Sequence, residues 1–334
     1  MFNRLPGIGI DIGSKRIKLA WVKRKRDGLQ IVRYGSMPTP TDAVDLGVIA
    51  DPEKLGDELG VLVRDLKLQG KRVVSAVGGQ QVYIRNLIMP SMKLNELKEA
   101  VYYQATNFLP IPIEEASTDI FPLRNFEDEE GKKTEVFFLA VRRQQVKNLE
   151  IACQVAGLKL AAVEIEPLSI YRVLGRENAS TIALIAMSSS RSYFTVFKRG
   201  IPVFYRSLSS GRYAFLKTLE INNETNGSEE IYVTDNNNQY DNLVREIIAE
   251  VSASVDFYEA QMEMEDEMIE KFLLCGTGAV SGLDIRLTAG LGREVEVANI
   301  LNRLLLPWNM SETEKHELQY DFPVALGLAA REVV

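Results

Sequence analysis

The chain has 334 residues, of which 46% are hydrophobic and 25% charged, and its formal net charge is −7. This length is sufficient for two domains with sizeable cores. The acidic balance argues against broad nucleic-acid binding, which needs a basic surface to displace counterions from phosphates. The sequence has no uninterrupted apolar run of the roughly 18 residues that cross a membrane, and its first residues lack the apolar segment of a signal peptide.

Two cysteines and a single histidine restrict the possible chemistry. Cys153 and Cys275 lie far apart in apolar contexts, which predicts two buried thiols rather than a disulfide. His316 stands in a polar run without the ligand spacing of a zinc site. A histidine-based catalytic triad would therefore require His316 itself as the base.

The first predicted elements form an antiparallel meander. Residues 7–12 carry isoleucine at every second position, as expected for a strand with one buried face. A second strand at 17–23 and a third at 29–35 follow, separated by an Asp27-Gly28 turn. The basic run 23–26 leads into this turn, and we interpret it as a solvated turn rather than a nucleic-acid patch.

Helices and strands alternate through the rest of the first half. The helices are predicted from apolar residues spaced three and four apart, and the strands from short apolar runs ending at glycine or proline. In order, the predicted elements are a helix over 53–68, strands over 71–79 and 82–89, a helix within 91–110, a charged loop at 125–133, a strand over 136–142, a helix over 146–156 and a strand over 160–167.

The second half opens with another meander, at 181–200. The elements predicted after it are an exposed loop at 220–242 with one short strand at 231–234, a helix over 243–261, a solvated acidic run at 263–270, a buried strand from 272 that leads through a glycine turn into a helix, and a closing helix in 323–333.

The two meanders are copies of one pattern. Residues 7–24 and 181–200 match when one is shifted by 175 positions, which places Asp11 on Ala186, Gly13 on Ser188 and Lys18 on Tyr193. A duplicated strand-turn-strand unit that carries an Asp-x-Gly motif indicates a two-lobed fold with a phosphate between the lobes. The second copy has lost the acid and the glycine, which calls its chemistry into question.

Two turns supply candidate nucleotide ligands. In the first copy, Gly13 lets the backbone amides turn toward a phosphate, and the amides of Ser14 and Lys15 extend that cradle. Asp11 could hold a hydrated magnesium ion and Lys18 could neutralise phosphate charge. A plain structural turn is the competing interpretation of this motif.

A second glycine-rich turn follows the buried strand at 272. Gly276, Thr277 and Gly278 have little bulk, so a flat base or ribose could lie against the backbone, and the N-terminus of the next helix favours an anion. Turns of this type are common after strands, so the motif alone is weak evidence.

Six segments together carry a family resemblance: GIGIDIGSKRIKL, MPSMKLNELKEAVYYQATNFLPIPIEEASTDIFPL, VFFLAVRRQQVKNLEIACQVAGLKLAAVEIEPLSIYRVL, EIIAEVSASVDFYEAQ, LLCGTGAVSGL and FPVALGLAARE. They resemble the actin-like ATPase superfamily and, within it, the PilM-type family of type IV pilus assembly, over nearly the whole chain. The resemblance implies an α/β fold, two-lobed and actin-like (a duplicated ribonuclease H-like unit), with an inserted small α/β subdomain of the SHS2 type.

The resemblance also implies domain boundaries. A first lobe is expected over 1–175, with the inserted subdomain at about 82–145 and a C-terminal helix at 322–334 packing back onto it. A second lobe is expected over 176–321, with the exposed loop 220–242.

The same resemblance implies ATP and magnesium between the lobes. Asp11, Gly13, Ser14 and Lys18 match the first phosphate loop, and Gly276 and Gly278 match the nucleoside-side glycines. The second phosphate loop normally reads Asp-Ile-Gly-x-Ser, but here it reads Ala186-Met187-Ser188-Ser189-Ser190, and the later glycine pair reads Gly211-Arg212. Alanine cannot position magnesium or a water, so weak or absent hydrolysis is expected.

The implied partner is a short N-terminal peptide of a PilN-like membrane protein, which would hold the chain at the cytoplasmic face of the inner membrane. The wall expected to contact it consists of Tyr102, Tyr103, Phe108, Pro110 and Ile113; helix packing is the competing interpretation for the three aromatic residues. An active ATPase and a specialised homologue serving a related secretion or filament system stay open. An FtsA-like division protein is disfavoured because no linker and amphipathic helix follow the closing segment, and a sugar kinase because no catalytic base or sugar-binding insertion can be placed.

Overall fold

The structure is a computed structural model that describes residues 7–45, 47–78, 82–174, 181–188, 192–208, 238–260, 268–279 and 281–331, without the side chains of 238–240. In chain order its strands are β1 (Ile8–Ile12), β2 (Arg16–Lys25), β3 (Gly28–Pro38), β4 (Val44–Asp45), β5 (Val48–Ile49), β6 (Arg72–Val77), β7 (Val82–Pro90), β8 (Ala116–Asp128), β9 (Gly131–Arg142), β10 (Lys159–Ile165), β11 (Thr181–Met187), β12 (Ser192–Lys198), β13 (Ile201–Leu208), β14 (Lys271–Cys275), β15 (Val295–Val297) and β16 (Leu304–Leu305).

The α-helices of the described residues are α1 (Pro52–Asp65), α2 (Leu94–Ala105), α3 (Arg143–Val155), α4 (Glu166–Leu174), α5 (Asn238–Glu259), α6 (Leu283–Leu291), α7 (Glu312–Asp321) and α8 (Pro323–Ala329). Two short 3₁₀ helices lie at Ile113–Glu115 and Leu301–Arg303.

A six-stranded sheet forms the core of the first half, in the order β10-β6-β1-β2-β3-β16. The alternation in β1 assigns its faces: Ile8, Ile10 and Ile12 belong to a buried cluster with residues of α1 and α3, whereas Gly9 lies against the backbone of α8. The opposite face of β2 packs on α7 and α8 in a separate cluster. The sheet is thus covered on both faces, and the C-terminal helix α8 completes the layer nearest β1.

A five-stranded sheet forms the core of the second half, in the order β13-β12-β11-β14-β15. Helices α5 and α6 cover one face. On the other face, Tyr193, Phe197 and Leu273 cluster with Ile170 of α4. Helix α4 therefore lies between the two large sheets, and its C-terminal half contributes to the packing of both halves of the chain.

A third sheet of three strands, β7-β9-β8, lies within residues 82–142. Its one face packs on α2 through a separate apolar cluster that includes Val101 and Phe138. On its other face, Val82 and Val141 cluster with Ile165 of the six-stranded sheet and Tyr205 of the five-stranded sheet.

The structure corrects two predicted loops and adds one helix that was not predicted. Residues 125–133 form the end of the long β8–β9 hairpin rather than a loop, because Thr134 and Lys133 pair with Asn125 and Phe126. Residues 238–242, expected in an exposed loop, already belong to α5. The polar run around His316 is helix α7. The remainder of the predicted loop 220–242, including the short strand at 231–234, lies outside the described residues, as does most of the acidic run at 263–270.

Candidate functional site

A pocket lies where the two large sheets meet. Both copies of the meander contribute to it, together with the start of α4, the glycine turn after β14 and the junction of α7 and α8. Its lining residues are Asp11, Lys18, Glu166, Ile170, Ala186, Met187, Ser188, Tyr193, Gly276, Thr277, Tyr320, Asp321, Pro323 and Val324.

The first meander places an ion pair in this pocket. Asp11 of β1 and Lys18 of β2 are directly opposite in the strand register. Both are buried, and Lys18 Nζ donates to Asp11 Oδ2 at 3.4 Å. Two residues predicted from the sequence as ligands of magnesium and phosphate therefore neutralise each other.

The second meander has an uncharged pair at the equivalent position. Ala186 of β11 and Tyr193 of β12 are opposite each other in the register, as Asp11 and Lys18 are in the first copy, so the register agrees with the shift of 175 positions inferred from the sequence. The Tyr193 side chain is only 2% exposed, and its ring lies 5.7 Å from that of Tyr205. The aromatic ring thus fills the space on the second side of the pocket.

The polar groups of the turn between β1 and β2 already form hydrogen bonds within the protein. The Gly13 amide donates to the Arg16 carbonyl at 3.1 Å, and the Gly13 carbonyl accepts from Thr39 Oγ1 at 2.6 Å. Ser14 Oγ accepts from the Gly47 amide at 2.9 Å. Gly13, Ser14 and the exposed Lys15 are not among the lining residues of the pocket.

The glycine turn after β14 packs tightly on the end of β11. Gly276 has a φ of +98°, and a Cβ placed on it would lie 2.3 Å from the Met187 carbonyl oxygen, so only glycine is tolerated. The Gly278 amide donates to that carbonyl at 3.0 Å. Gly276 and Thr277 line the pocket, whereas the Gly278 amide is already bonded.

The structure brings in three polar side chains that the sequence reasoning missed: Glu166, Tyr320 and Asp321. Glu166 is buried at the start of α4 with its carboxylate against Gly78, where a Cβ would approach within 2.7 Å of Cδ. The signal in the sequence is an acid close before a proline, in Glu166-Pro167 and in Asp321-Phe322-Pro323.

Asp321 has a perturbed acidity. Burial raises the pKa of its carboxyl above the ordinary value of 3.8, and the nearby Asp11 charge adds to the increase, while the positive charges of Lys18, Arg16 and His316 oppose it. The direction of the shift shows that desolvation outweighs the three cationic neighbours.

The described residues do not fit magnesium and a nucleoside triphosphate. Among the lining residues, Lys18 faces three carboxylates, whereas a phosphate chain needs an excess of positive charge and free amides. Ala186 and Tyr193 replace the acid and the cation on the second side. No group of three or more acidic, histidine or cysteine residues in the described part of the chain could hold a metal ion.

Ser189 and Ser190 of the degenerate loop, and Gly211 of the later glycine pair, lie outside the described residues.

The predicted peptide wall divides into exposed and buried residues. Tyr102 and Tyr103 of α2 are 44% and 77% exposed, and Pro110 is exposed. Phe108 is half-buried: its ring meets Phe138 edge-on at 5.5 Å. Ile113 is buried in the core of the three-stranded sheet, so it cannot contact a partner at this surface, which corrects the sequence prediction.

Two lobes built on one duplicated meander, with a pocket between them and a small α/β insertion in the first, define an actin-like fold. Two solved structures support this fold: EutJ from Carboxydothermus hydrogenoformans (TM-score 0.50, 14% identity, covering 98% of this chain and 91% of EutJ) and ADP-bound MreB5 of Spiroplasma citri (TM-score 0.51, 11% identity, covering 94% and 95%).

The particular family is shown by two further comparisons. A structure described as a PilM–PilN type IV pilus biogenesis complex contains a chain that matches with a TM-score of 0.84 and 25% identity over 99% of both chains. The family described as type IV pilus assembly protein PilM matches residues 9–333. The chain therefore belongs to the PilM family of type IV pilus assembly.

None of the helices in the described ranges is long and apolar enough to span a bilayer.

Proposed function

We propose that this chain is a scaffold of type IV pilus assembly that binds the N-terminal cytoplasmic peptide of a PilN-like inner-membrane protein. The observation that carries the proposal is the match over 99% of both chains with a protein solved as part of a PilM–PilN complex. Through such a peptide the chain would lie at the cytoplasmic face of the inner membrane, together with other pilus assembly proteins.

The peptide is proposed to contact the surface of the three-stranded subdomain formed by Tyr102, Tyr103, Phe108 and Pro110. Exposed apolar side chains that lie together on one subdomain are typical of recognition surfaces. Arg85 is positioned 4.6 Å from the centre of the Phe108 ring, which holds that ring in place. An extended peptide could lay its alternate side chains between these aromatic groups.

Nucleotide has a secondary place in the proposal. ADP is bound by MreB5, a solved structure with a similar fold, but here the pocket between the lobes contains the Asp11–Lys18 ion pair and the buried Tyr193 ring. We propose that the chain hydrolyses no ATP and acts by binding. An active ATPase of the same family is the second candidate, because Asp11 and Lys18 are retained and Glu166 adds a buried carboxylate.

Calorimetry with a synthetic peptide from the N-terminus of the PilN-like protein of the same organism tests the proposal. We expect Tyr103→Ala and Tyr102→Ala each to weaken binding by about 1–2 kcal/mol, the cost of truncating an aromatic contact. Ile285→Ala is a matched control, since Ile285 is 70% exposed and lies on α6 in the second lobe. Lack of binding by the wild type would refute the proposed function, while equal binding by all variants would refute only the proposed wall.

Titration with Mg·ATP, with phosphate release followed in the same sample, separates the two candidates. We expect neither heat of binding nor turnover. Turnover that is abolished by Asp11→Ala would establish the active ATPase instead.

A further inference from the structure

The tip of the β2–β3 hairpin carries a concentrated positive charge. Residues 23–26 are four consecutive basic residues, all exposed, on a chain whose net charge is −7. Asp27 is the acid in the turn. The proposed function gives this surface no role, because the surface belongs to the six-stranded sheet and not to the subdomain proposed to bind the peptide.

An apolar segment lies directly beside this tip. The edge strand β16 pairs with β3, so that Leu305 stands opposite Gln30, which in turn stands opposite Lys23. Directly opposite residues of neighbouring strands project to the same face, so Lys23, Gln30 and Leu305 form one row. Leu305 approaches within 3.3 Å of a Cβ placed on Gly28 at the turn.

A tryptophan follows β16 and is exposed to solvent. Trp308 is 97% exposed, and Leu305 is 38% exposed. The Met310 amide donates to the Pro307 carbonyl at 3.1 Å, which closes a tight turn with Trp308 at its apex. Trp308 is three positions beyond Leu305, so it lies within about 11 Å of that basic and apolar row.

We propose that the basic tip 23–26 and the segment Leu305–Trp308 form a docking surface for an anionic lipid bilayer. Clustered Lys and Arg are attracted to a negatively charged leaflet, and tryptophan prefers the level of the headgroups, where its ring is partly buried and its N–H stays hydrated. Duplex nucleic acid would match the charge equally well, but it offers no comparable apolar environment for the exposed Leu305 and Trp308. The surface would add a direct contact with the membrane to the one made through a partner peptide.

Flotation of the purified chain with lipid vesicles tests this inference without any partner peptide. Vesicles of phosphatidylcholine alone are compared with vesicles containing phosphatidylcholine and phosphatidylglycerol in equal amounts. We expect binding to the anionic vesicles only, weakening with salt because the attraction is screened. Lys25→Gln with Arg26→Gln should lower the partition coefficient about thirtyfold, and Trp308→Ala about tenfold.

Two matched controls accompany these variants. Lys71→Gln with Arg72→Gln removes the same charge from another exposed pair of basic residues, and Ile285→Ala removes an exposed apolar side chain elsewhere. Both should bind vesicles like the wild type. All the altered side chains are exposed, and unchanged peptide binding verifies that each variant is folded, or unchanged circular dichroism if no peptide binds.

Three results would overturn the proposal. The wild type could fail to bind anionic vesicles at low salt, or both surface variants could bind them as strongly as the wild type does. The third result is binding of duplex DNA that exceeds binding to the vesicles and is lost in the same variants, which would assign the surface to nucleic acid.

Discussion

The pocket shows how two residues in each copy of the meander set its character. Asp11 and Lys18 in the first copy, and Ala186 and Tyr193 in the second, occupy the same register positions. The first pair brings charge into a buried site and the second brings volume. A buried ion pair has a high desolvation cost that its mutual attraction only partly offsets, whereas the uncharged pair carries no such cost.

A double-mutant cycle tests the coupling within the ion pair. Removing one residue leaves the other charge buried without its ion-pair partner, so Asp11→Ala or Lys18→Met should each lower the free energy of unfolding by about 3 kcal/mol. The loss for Lys18→Met should be larger, because Asp321 and Glu166 remain in the same pocket. The double variant should lose at least about 1 kcal/mol less than the sum of the single losses. Urea unfolding measures all four proteins, and additive losses would show that the pair is not coupled.

Asp321 should make stability depend on pH. Its folded-state pKa is raised, mainly by burial, so the folded protein binds this proton more tightly than the unfolded chain. The stabilisation is complete below the ordinary pKa of 3.8 and is lost as the pH rises through the folded-state pKa. The stability of Asp321→Asn relative to the wild type should therefore increase over that range, by about 1.4 kcal/mol for each pKa unit of elevation.

Glu314 provides a control of opposite sign. Hydrogen bonds from the backbone and side chain of Ser311 lower the pKa of its carboxyl below 4.5, so its contribution is present above 4.5 and is lost as the pH falls through the lowered pKa. The Glu314→Gln variant should therefore be less stable than the wild type above pH 4.5, and this difference in stability should disappear as the pH falls. A curve for Asp321→Asn parallel to that of the wild type from pH 3.8 upward would contradict the burial argument.

Helix α8 is the element on which the packing between β1 and α4 depends. Its Gly327 faces α4 so closely that a Cβ would lie 1.9 Å from the Ser169 carbonyl oxygen. Arg172 of α4 donates to the Gly327 carbonyl at 2.8 Å. This contact between backbones requires a residue without a side chain, so the helix accepts the lower helical propensity of glycine.

Gly327→Ala should therefore destabilise the protein by about 3 kcal/mol or more, since backbone atoms on both sides must move apart. Gly60→Ala is the matched control in α1: its Cβ would meet only Arg64 Nη1 at 3.4 Å and Ala156 Cα at 3.7 Å. That variant should be more stable by about 0.5–1 kcal/mol. Thermal unfolding measures the stability of both variants. Equal effects would show that helix α8 can shift to accommodate the added methyl group at position 327.

Elements with a clear periodicity were predicted from the sequence, and those stabilised by polar local contacts were not. The isoleucines of β1 and the leucines of α1 gave the correct element and face. Helix α7 was missed because its stripe is weak, although Ser311 and Glu314 form a capping box that marks its start. The β8–β9 hairpin was missed because its pairs are polar, as in the hydrogen bond of 2.8 Å between Thr134 and Asn125.

At the scale of the whole molecule, the two large sheets have separate cores with one cysteine each. Cys153 lies in the cluster between α1, α3 and the first sheet, and Cys275 at the end of β14 in the second. Burial raises the pKa of each thiol to about 12. Each cysteine can therefore report the opening of its own core.

Thiol labelling should be limited by unfolding at both positions. At about pH 8, only about one folded thiol in ten thousand is ionised, and the reagent cannot reach it. Single-cysteine variants, Cys153→Ser and Cys275→Ser, should react at equal rates if the sheets unfold together, as the shared packing of α4 and α8 indicates. Faster labelling of one thiol would show that its core opens separately.

The pocket was less predictable than the fold because it is assembled from distant parts of the chain. The duplicated pattern around Asp11 and the glycines after β14 identified two of its sides. Glu166 and Asp321 could not be found by spacing, since each lies on an element whose position depends on tertiary packing. The ion pair between Asp11 and Lys18 changes how both residues are interpreted. It can be recognised only when the strand register is known.

The contact of Gly9 with the backbone at 325–329 has a consequence for biosynthesis. A ribosome adds about 5–20 residues per second, so the first strand leaves the exit tunnel long before the helix that covers it has been made. Until then the apolar side chains of Ala20 and Val22, buried under α8 in the finished protein, remain uncovered. The nascent chain must therefore be kept from aggregating for much of its synthesis, and the first sheet reaches its final form only after the second has been translated.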